Sequence, residues 1–537
     1  MKKILKKISG ISALLLVLAS CGTNAGVSSK ELYRFATATP SNSLNNMTTS
    51  EAVNFDILNN TLEGLTRKNI EGDIEAAAAA SWEVSEDKTE YTFKLRESYW
   101  SNGEAVTAAD FVFAWGKVLT LEEASYKDLA KLLKNGEAIA NGEQELSELG
   151  VEALDAKTLK VTLDEPKSYI LDLFSAIIFA PTNEAFYTSV GADSFGTDKD
   201  TILSNGAYNL TSYEAESGYT LVKRDNYWDI ANVSIPEVKV IVVKSIETQA
   251  IMYDNNEIDT LELTAGLIDQ YAGKDGIESQ TEDRTQYMYL SGNTSTPSKV
   301  LDNKNFRTAV SYAIDKEIIV DSILKDGAVA TDYLIPKGFA LVDGEDYRSR
   351  FGEEDLRFDV MQAQMYLEEA KKELGDEPLT FVLKSWELEP QKKTFLNIAS
   401  QIETNLPGVK VIFETLPAQT YFKTLFEYST PAAYSGWGAD FSDPISFFSL
   451  FTSESSLNFA KYNNSLYDAT IAKAETAELS RNPIERQEVF YEAEKILLDD
   501  NVLIPLYQRG KKIITNGEFS DLSYGTGQPV RHFRLIK

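Results

Sequence analysis

Along this chain the spacing of apolar residues switches repeatedly between the strand period and the helix period, with no polar linker after residue 30. Tyr91, Phe93 and Leu95 recur at every second position, as do Leu159, Val161 and Leu163. Each set reads as a strand with one buried face. Trp82 and Val84 precede the first set across the turn-like Ser85-Glu86-Asp87-Lys88, which predicts a hairpin. Thr107 and Asp110 carry the spacing of a capping box variant, and Phe111, Ala114, Trp115 and Val118 follow as one helical stripe. Phe306, Ala309, Val310, Ala313 and Ile314 make a second stripe, extended by Ile318 and Ile319. Strand patterns at 379–384, 409–414 and 503–507 alternate with helical ones at 391–405, 419–427 and 483–499. Val238 to Val243 reads as a strand buried on both faces, and Ala76 to Ala80 as a short helical run. The alternation predicts α/β lobes with largely parallel sheets. Without linkers the lobes should be interwoven, with the chain crossing between them several times, an arrangement suited to hinge bending.

Composition narrows the chemistry. At roughly 150 residues per domain, 537 residues make two to four domains. The 52 Lys and Arg against 82 Asp and Glu give a formal net charge of -30. That balance argues against a nucleic-acid partner, which needs a basic face. One Cys excludes an intramolecular disulfide and every Cys-rich metal site. The one His, His532, lies near the C-terminus, so a His-based triad or multi-His metal site would rest on that residue alone. Gly436-Trp437-Gly438 runs into Ala439-Asp440 rather than the Lys-Ser/Thr of a phosphate loop. No calcium-loop spacing is present. The expectation is a protein with no cofactor, no metal and no catalytic residues. A hydrolase built on paired carboxylates stays open, because 82 carboxylates cannot exclude a dyad by counting.

The N-terminus reads as an address. Lys2, Lys3, Lys6 and Lys7 precede the apolar run Ile11 to Ala19, too short to span a bilayer and fit for a signal peptide. It ends in Leu18-Ala19-Ser20-Cys21-Gly22, similar to a bacterial lipobox, in which the Cys21 thiol accepts the lipid. Cleavage after residue 20 removes four Lys and leaves 48 basic against 82 acidic residues, 48 - 82 = -34. The polar stretch to Lys30 reads as a flexible tether (21–30). The expectation is a body held by lipid on the extracytoplasmic face of a cell membrane, at a Gram-positive cell surface.

One segment stands apart. Tyr434-Ser435-Gly436-Trp437-Gly438-Ala439-Asp440-Phe441-Ser442-Asp443-Pro444 combines small residues, a Trp and two carboxylates. Glycines let another backbone approach, as an added strand requires. A carboxylate beside such a slot would neutralise an ammonium group leaving water. A structural bend with Trp437 in the core explains the same residues equally well.

In order along the chain stand Leu62-Glu63-Gly64-Leu65, Ala80-Ser81-Trp82, Tyr91-Thr92-Phe93-Lys94-Leu95-Arg96 and the long block from Trp100 to Trp115. Asn205-Gly206-Ala207-Tyr208, Asn226-Tyr227-Trp228, Arg307 to Asp315 and Gly436 to Asp440 follow. With these motifs the sequence resembles the bacterial oligopeptide-binding lipoproteins, family 5 extracellular solute-binding proteins that serve ABC importers. The resemblance runs over 31–537. It implies a two-lobed periplasmic-binding-protein-like α/β fold with a hinge and an additional inserted domain. The implied boundaries are 31–62 with 187–288 and 508–537 for lobe I, 63–186 for the insert and 289–507 for lobe II. It also implies an oligopeptide enclosed between the lobes and paired like a strand with Gly436, Trp437, Gly438 and Ala439. Ser50, Glu51 and Ala52 match the opposing segment, and Asp440 matches the residue that binds the peptide α-amino group. The implied partners are the permease subunits of an ABC transporter, its ATPase indirectly, and the protein acts as a monomer. Gln391 and Tyr434 stand where enterobacterial relatives place a His and an Arg that hold the peptide carboxylate. That departure opens the reading to longer or variable peptides, including pheromones. A surface receptor for a signalling peptide and a same-fold binder of a sugar or metal complex are the alternatives.

Overall fold

The structure is a computed structural model that describes residues 31–537 apart from 70–71, 343, 353–355, 388, 440, 518, 520–531 and 534–537. At 265 and 389–391 the backbone alone is described. Cys21, the tether, Asp440 and the side chain of Gln391 therefore lie outside the described residues.

Strand β1 (Leu32–Thr37) leads into helix α1 (Ala52–Thr61) and the small hairpin β2 (Thr66–Lys68) and β3 (Ile74–Ala76). Next come β4 (Ala79–Val84), β5 (Glu90–Leu95), helix α2 (Ala108–Thr120), β6 (Val151–Asp155) and β7 (Thr158–Thr162). These four strands make one sheet in the order β4-β5-β7-β6. Its core is aromatic: Phe93, Phe111, Trp115, Phe174 and Phe179 are all buried, and the indole of Trp115 donates to the Phe179 carbonyl at 2.9 Å. At the start of α2 the Asp110 carboxylate accepts from the Thr107 backbone at 2.8 Å and from Trp100 Nε1 at 3.2 Å. The capping spacing thus also ties the helix to the preceding turn.

The chain returns as β8 (Tyr208–Glu214), β9 (Gly218–Lys223) and β10 (Glu237–Val242), which join the first strand in the order β1-β10-β9-β8. Then follow β11 (Thr260–Leu263), β12 (Ile277–Leu290), β13 (Val329–Ala330), the pair β14 (Leu341–Val342) and β15 (Glu345–Asp346), β16 (Thr380–Trp386), β17 (Lys410–Leu416), β18 (Ala432–Gly438) and β19 (Leu503–Thr515). The largest sheet runs β11-β19-β12-β18-β16-β17, with β13 beside β19. Its long central pair, β12 and β19, is antiparallel from Ile277↔Ile514 to Tyr289↔Leu503. One end of that pair meets β11, whose Asp259 neighbour holds Arg34 of β1 at 2.8 Å. The other end meets β18. The two strands therefore cross from one lobe to the other, and their register breaks between Thr281 and Thr285, near the crossing. A break of that kind bends a strand and raises its twist.

Several expectations need correction. The sheets are mixed, not largely parallel: β1–β10, β16–β17 and β16–β18 are parallel, and the other pairs are antiparallel. Short turns join β4 to β5, β6 to β7 and β8 to β9, and a short turn can connect only antiparallel neighbours. In β10, Val238 and Val240 are buried while Lys239 is exposed, so one face alone is covered. The hairpin at 82–96 forms, but β4 is an edge strand and Val84 is 43% exposed; the buried face belongs to β5. The Ala76–Ala80 run is extended, not helical. Ala78 and Ala79 donate to the carbonyls of Gly64 and Leu65, at 3.0 and 3.1 Å. Small side chains let this segment pass between neighbours in the core, and that packing overrides alanine's helix preference. The second helical stripe stops at Tyr312, and Ile318–Leu324 forms a separate wide turn.

Candidate functional site

Gly436, Trp437 and Gly438 end β18, and Ala439 follows, fully buried. On one side β18 pairs with β12 along its whole length, from Leu290↔Ala432 to Arg284↔Gly438. On the other side β16 meets it at a single point, Lys384↔Ala433. Past Ala433 the far edge of β18 has no strand beside it among the described residues; the Tyr434 carbonyl accepts from the Tyr421 hydroxyl. An edge with unpaired backbone donors and acceptors is a template for another strand. That open edge runs along Tyr434 to Gly438.

Period-two geometry divides the segment between two faces. Trp437 and Ser435 share a face with Thr285, Tyr287 and Tyr289, and Trp437 packs against the core that contains the two tyrosines. The expectation of Trp437 as a core residue therefore holds for its ring. Its indole nitrogen, however, has no hydrogen-bond partner among the described residues. Gly436 and Gly438 lie on the opposite face, directly beside Gln286 and Arg284. A Cβ at Gly436 would stand 2.3 Å from Gln286 Oε1, and one at Gly438 would stand 2.9 Å from Arg284 Nε. A side chain at either position would push these two groups aside. In the sequence Arg284 and Gln286 show only as polar residues just before the apolar run Tyr287 to Leu290.

The loop that carries residue 440 is fixed from the inserted sheet's side. Phe441 stacks on Tyr169 at 4.6 Å. The Ser442 backbone donates to Asp172 at 2.6 Å, and Lys68 reaches both Ser442 Oγ at 2.7 Å and Asp172 at 2.9 Å. Asp443 accepts from Arg486 at 2.6 Å. Burial pushes the Asp443 carboxyl up, and Arg486 opposes this without cancelling it.

Ser50, Glu51 and Ala52 are exposed at the start of α1, where Glu51 is the cap residue and accepts from Asn42 at 2.9 Å. No hydrogen bond or ion pair among the described residues joins them to 436–439. A cavity of about 120 Å³ lies further along α1, lined by Phe55, Asn59, Tyr126, Ile177, Lys68 and Asp172 among others. Residues 436–439 do not line it, but Lys68 and Asp172 link its wall to the loop after β18. Tyr434, one of the two departures noted above, donates to or accepts from the Tyr507 hydroxyl at 2.7 Å. Burial, with Tyr507 beside it, holds its hydroxyl well above its usual range, so it is neutral there.

Two lobes bridged by a crossing strand pair, with an open strand edge at the crossing, define a binding protein of the hinged two-lobed class. A family profile for bacterial extracellular solute-binding proteins, family 5 middle region, matches residues 73–459. The chain belongs to that family of binding proteins. It is 30% identical to the dipeptide-binding protein DppE of Bacillus subtilis (strain 168), over 85% of this chain and 82% of that one. Listeria monocytogenes OppA bound to peptide is similar in structure, with 31% identity and a TM-score of 0.77 over 94% of this chain and 99% of that one. The pheromone receptor PrgZ is similar too, with 29% identity and a TM-score of 0.78 over 95% of this chain and 99% of that one.

Proposed function

We propose that this protein captures oligopeptides between its lobes and delivers them to the permease of an ABC importer. The observation that carries the reading is the edge of β18 from Tyr434 to Gly438, paired by β12 on one side and, among the described residues, with no strand on the other. A peptide added there gains main-chain hydrogen bonds without regard to its side chains, which suits a broad ligand range. Ser50 to Ala52 close the strand from the other lobe, and Asp440 takes the α-ammonium. Peptide binding in the similar DppE and OppA supports the ligand class. The likeness to a pheromone receptor supports a second reading, in which the captured peptide is a signal.

Burying an ammonium without a partner is costly, so Asp440→Asn should weaken binding by roughly 2–5 kcal/mol. Acetylating the peptide N-terminus should weaken wild-type binding by a similar amount, and the two losses should not add, since both remove one interaction. Calorimetry over the four combinations tests this. Equal affinity for free and acetylated peptide removes Asp440 from the site.

The protein acts as a monomer anchored outside the cell through lipid on Cys21, a reading supported by the lipobox around that residue. Diacylglycerol supplies two acyl chains, enough for stable anchoring. Cys21→Ala should move the protein from the detergent phase to the aqueous phase, or leave it with its signal peptide attached. A processed variant that stays in the detergent phase would overturn the lipid anchor.

A further inference from the structure

Arg284 lies on β12 opposite Gly438, the last residue of β18, and within the register break between Thr281 and Thr285. A bulge at that point re-aims side chains out of the regular pleat. Gly438 leaves open the space that its own side chain would take, and the guanidinium fills part of it, with Nε 2.9 Å and Nη2 3.3 Å from where that Cβ would stand. Arg284 is half-buried, yet among the described residues it makes no hydrogen bond and no ion pair. Glu282, the carboxylate whose charge acts on it, is already held by Arg509 at 3.2 Å. Burial and the like charge of Arg509 both work against the Arg284 cation, and Glu282 and Tyr434 only partly offset them. Arg509, by contrast, is stabilised as a cation by Glu282. One residue along the same face, Gln286 is 4% exposed and its Oε1 has no partner among the described residues.

A half-buried, five-donor fork with no acceptor is an unusual thing for a protein to keep. Desolvating a guanidinium without an anion is unfavourable, and the state in which an anion arrives is the one that removes the penalty. We infer that Arg284 is the anion anchor of the cleft and takes a carboxylate of the bound peptide in a forked, two-bond contact beside the β18 edge. This inference rests on the peptide-capture reading above. The bound group is either the C-terminal carboxylate or an Asp or Glu side chain, which present the same chemistry to the fork. Neither residue that the resemblance pairs with a peptide carboxylate supplies a cation: one position holds Gln391, and the other holds Tyr434, which is neutral and engaged with Tyr507. Arg284 restores a positive charge on the same sheet face as Tyr434, on the neighbouring strand.

The test uses tetra- and hexa-alanine, each as the free acid and as the C-terminal amide. A second set of amides carries Glu or Gln at the second, third or fourth position. Affinities are measured by calorimetry on the wild type, Arg284→Gln, and Arg284→Met, which keeps the packing of the side-chain stem. The wild type should bind the carboxylate-bearing member of at least one pair about tenfold more tightly or better, and the variants should bind both members alike. Preference in the acid–amide pair assigns the C-terminus; preference in a Glu–Gln pair assigns a side chain. A purely structural Arg284 would change unfolding stability and leave these ratios alone. A wild type that binds the peptides without regard to charge, or variants that keep the preference, overturns the inference and leaves peptide capture standing. A wild type that binds none of the set overturns the peptide-capture reading itself, and this inference with it.

Discussion

Arg486 is shared by two acids, Asp443 at 2.6 Å and Glu475, and Glu475 also accepts from Lys167 of the inserted segment at 3.1 Å. The two acids respond in opposite directions. Burial lifts the Asp443 carboxyl above its usual range. Burial also pushes Glu475 up, but Arg486 and Lys167 outweigh it and hold that carboxyl below its usual range. An acid held low in the folded state contributes stability above its unfolded pKa, about 4.3 for Glu, and loses that contribution as pH falls through the folded value. Glu475→Gln should therefore be less stable than the wild type at neutral pH, and the gap should close as pH falls below about 4. Urea unfolding at stepped pH measures it. A gap that stays constant from neutrality into acid would mean that Glu475 acts through packing alone.

At the scale of elements, much was legible because periodicity is local. The strand at Glu90–Leu95, the helix after Thr107 and the helix Pro483–Asp499 all match their apolar spacing. What escaped the sequence was pairing. The strands near 380 and 410 are parallel neighbours, yet β12 and β19 are antiparallel across a separation of more than two hundred positions, and nothing in either segment names the other. Ala76–Ala80 failed for a related reason, since its hydrogen bonds go to Gly64, Leu65 and Arg96 rather than along its own backbone. The β18 segment was identified from its composition, and its glycines do lie where a strand edge is open. Arg284 and Gln286 went unnoticed because their importance comes from the glycines opposite, which only register reveals.

For the molecule as a whole, the crossing pair is the only described strand connection running through both lobes, and its register break offers a place to bend. Contacts of the Ser442 loop with Lys68 and Asp172, and of Lys88 with the Arg481 carbonyl at 3.1 Å, tie the inserted segment to the second lobe. The same segment is also held to the first lobe, by Arg67 with Asp229 at 2.6 Å and by Arg224 with the Tyr99 carbonyl at 2.6 Å, so rotation about the crossing works against one of these two sets of contacts. Peptide can drive that rotation only through contacts that the open form lacks. Small-angle scattering should show a smaller radius of gyration when a tetrapeptide is bound. An unchanged radius, with binding confirmed by calorimetry, would exclude lobe closure.

The position of β19 in the largest sheet also governs when this chain can become a protein. It is the last strand in chain order among the described residues, yet it lies between β11 and β12, which are not neighbours in the sheet. Until residue 503 and its successors emerge, β11 has no strand partner in that sheet, and β12 is covered on one edge alone. Native order that depends on so distant a contact forms slowly. Among the described residues, the strand that locks the two halves of this sheet together is thus the one that leaves the ribosome last.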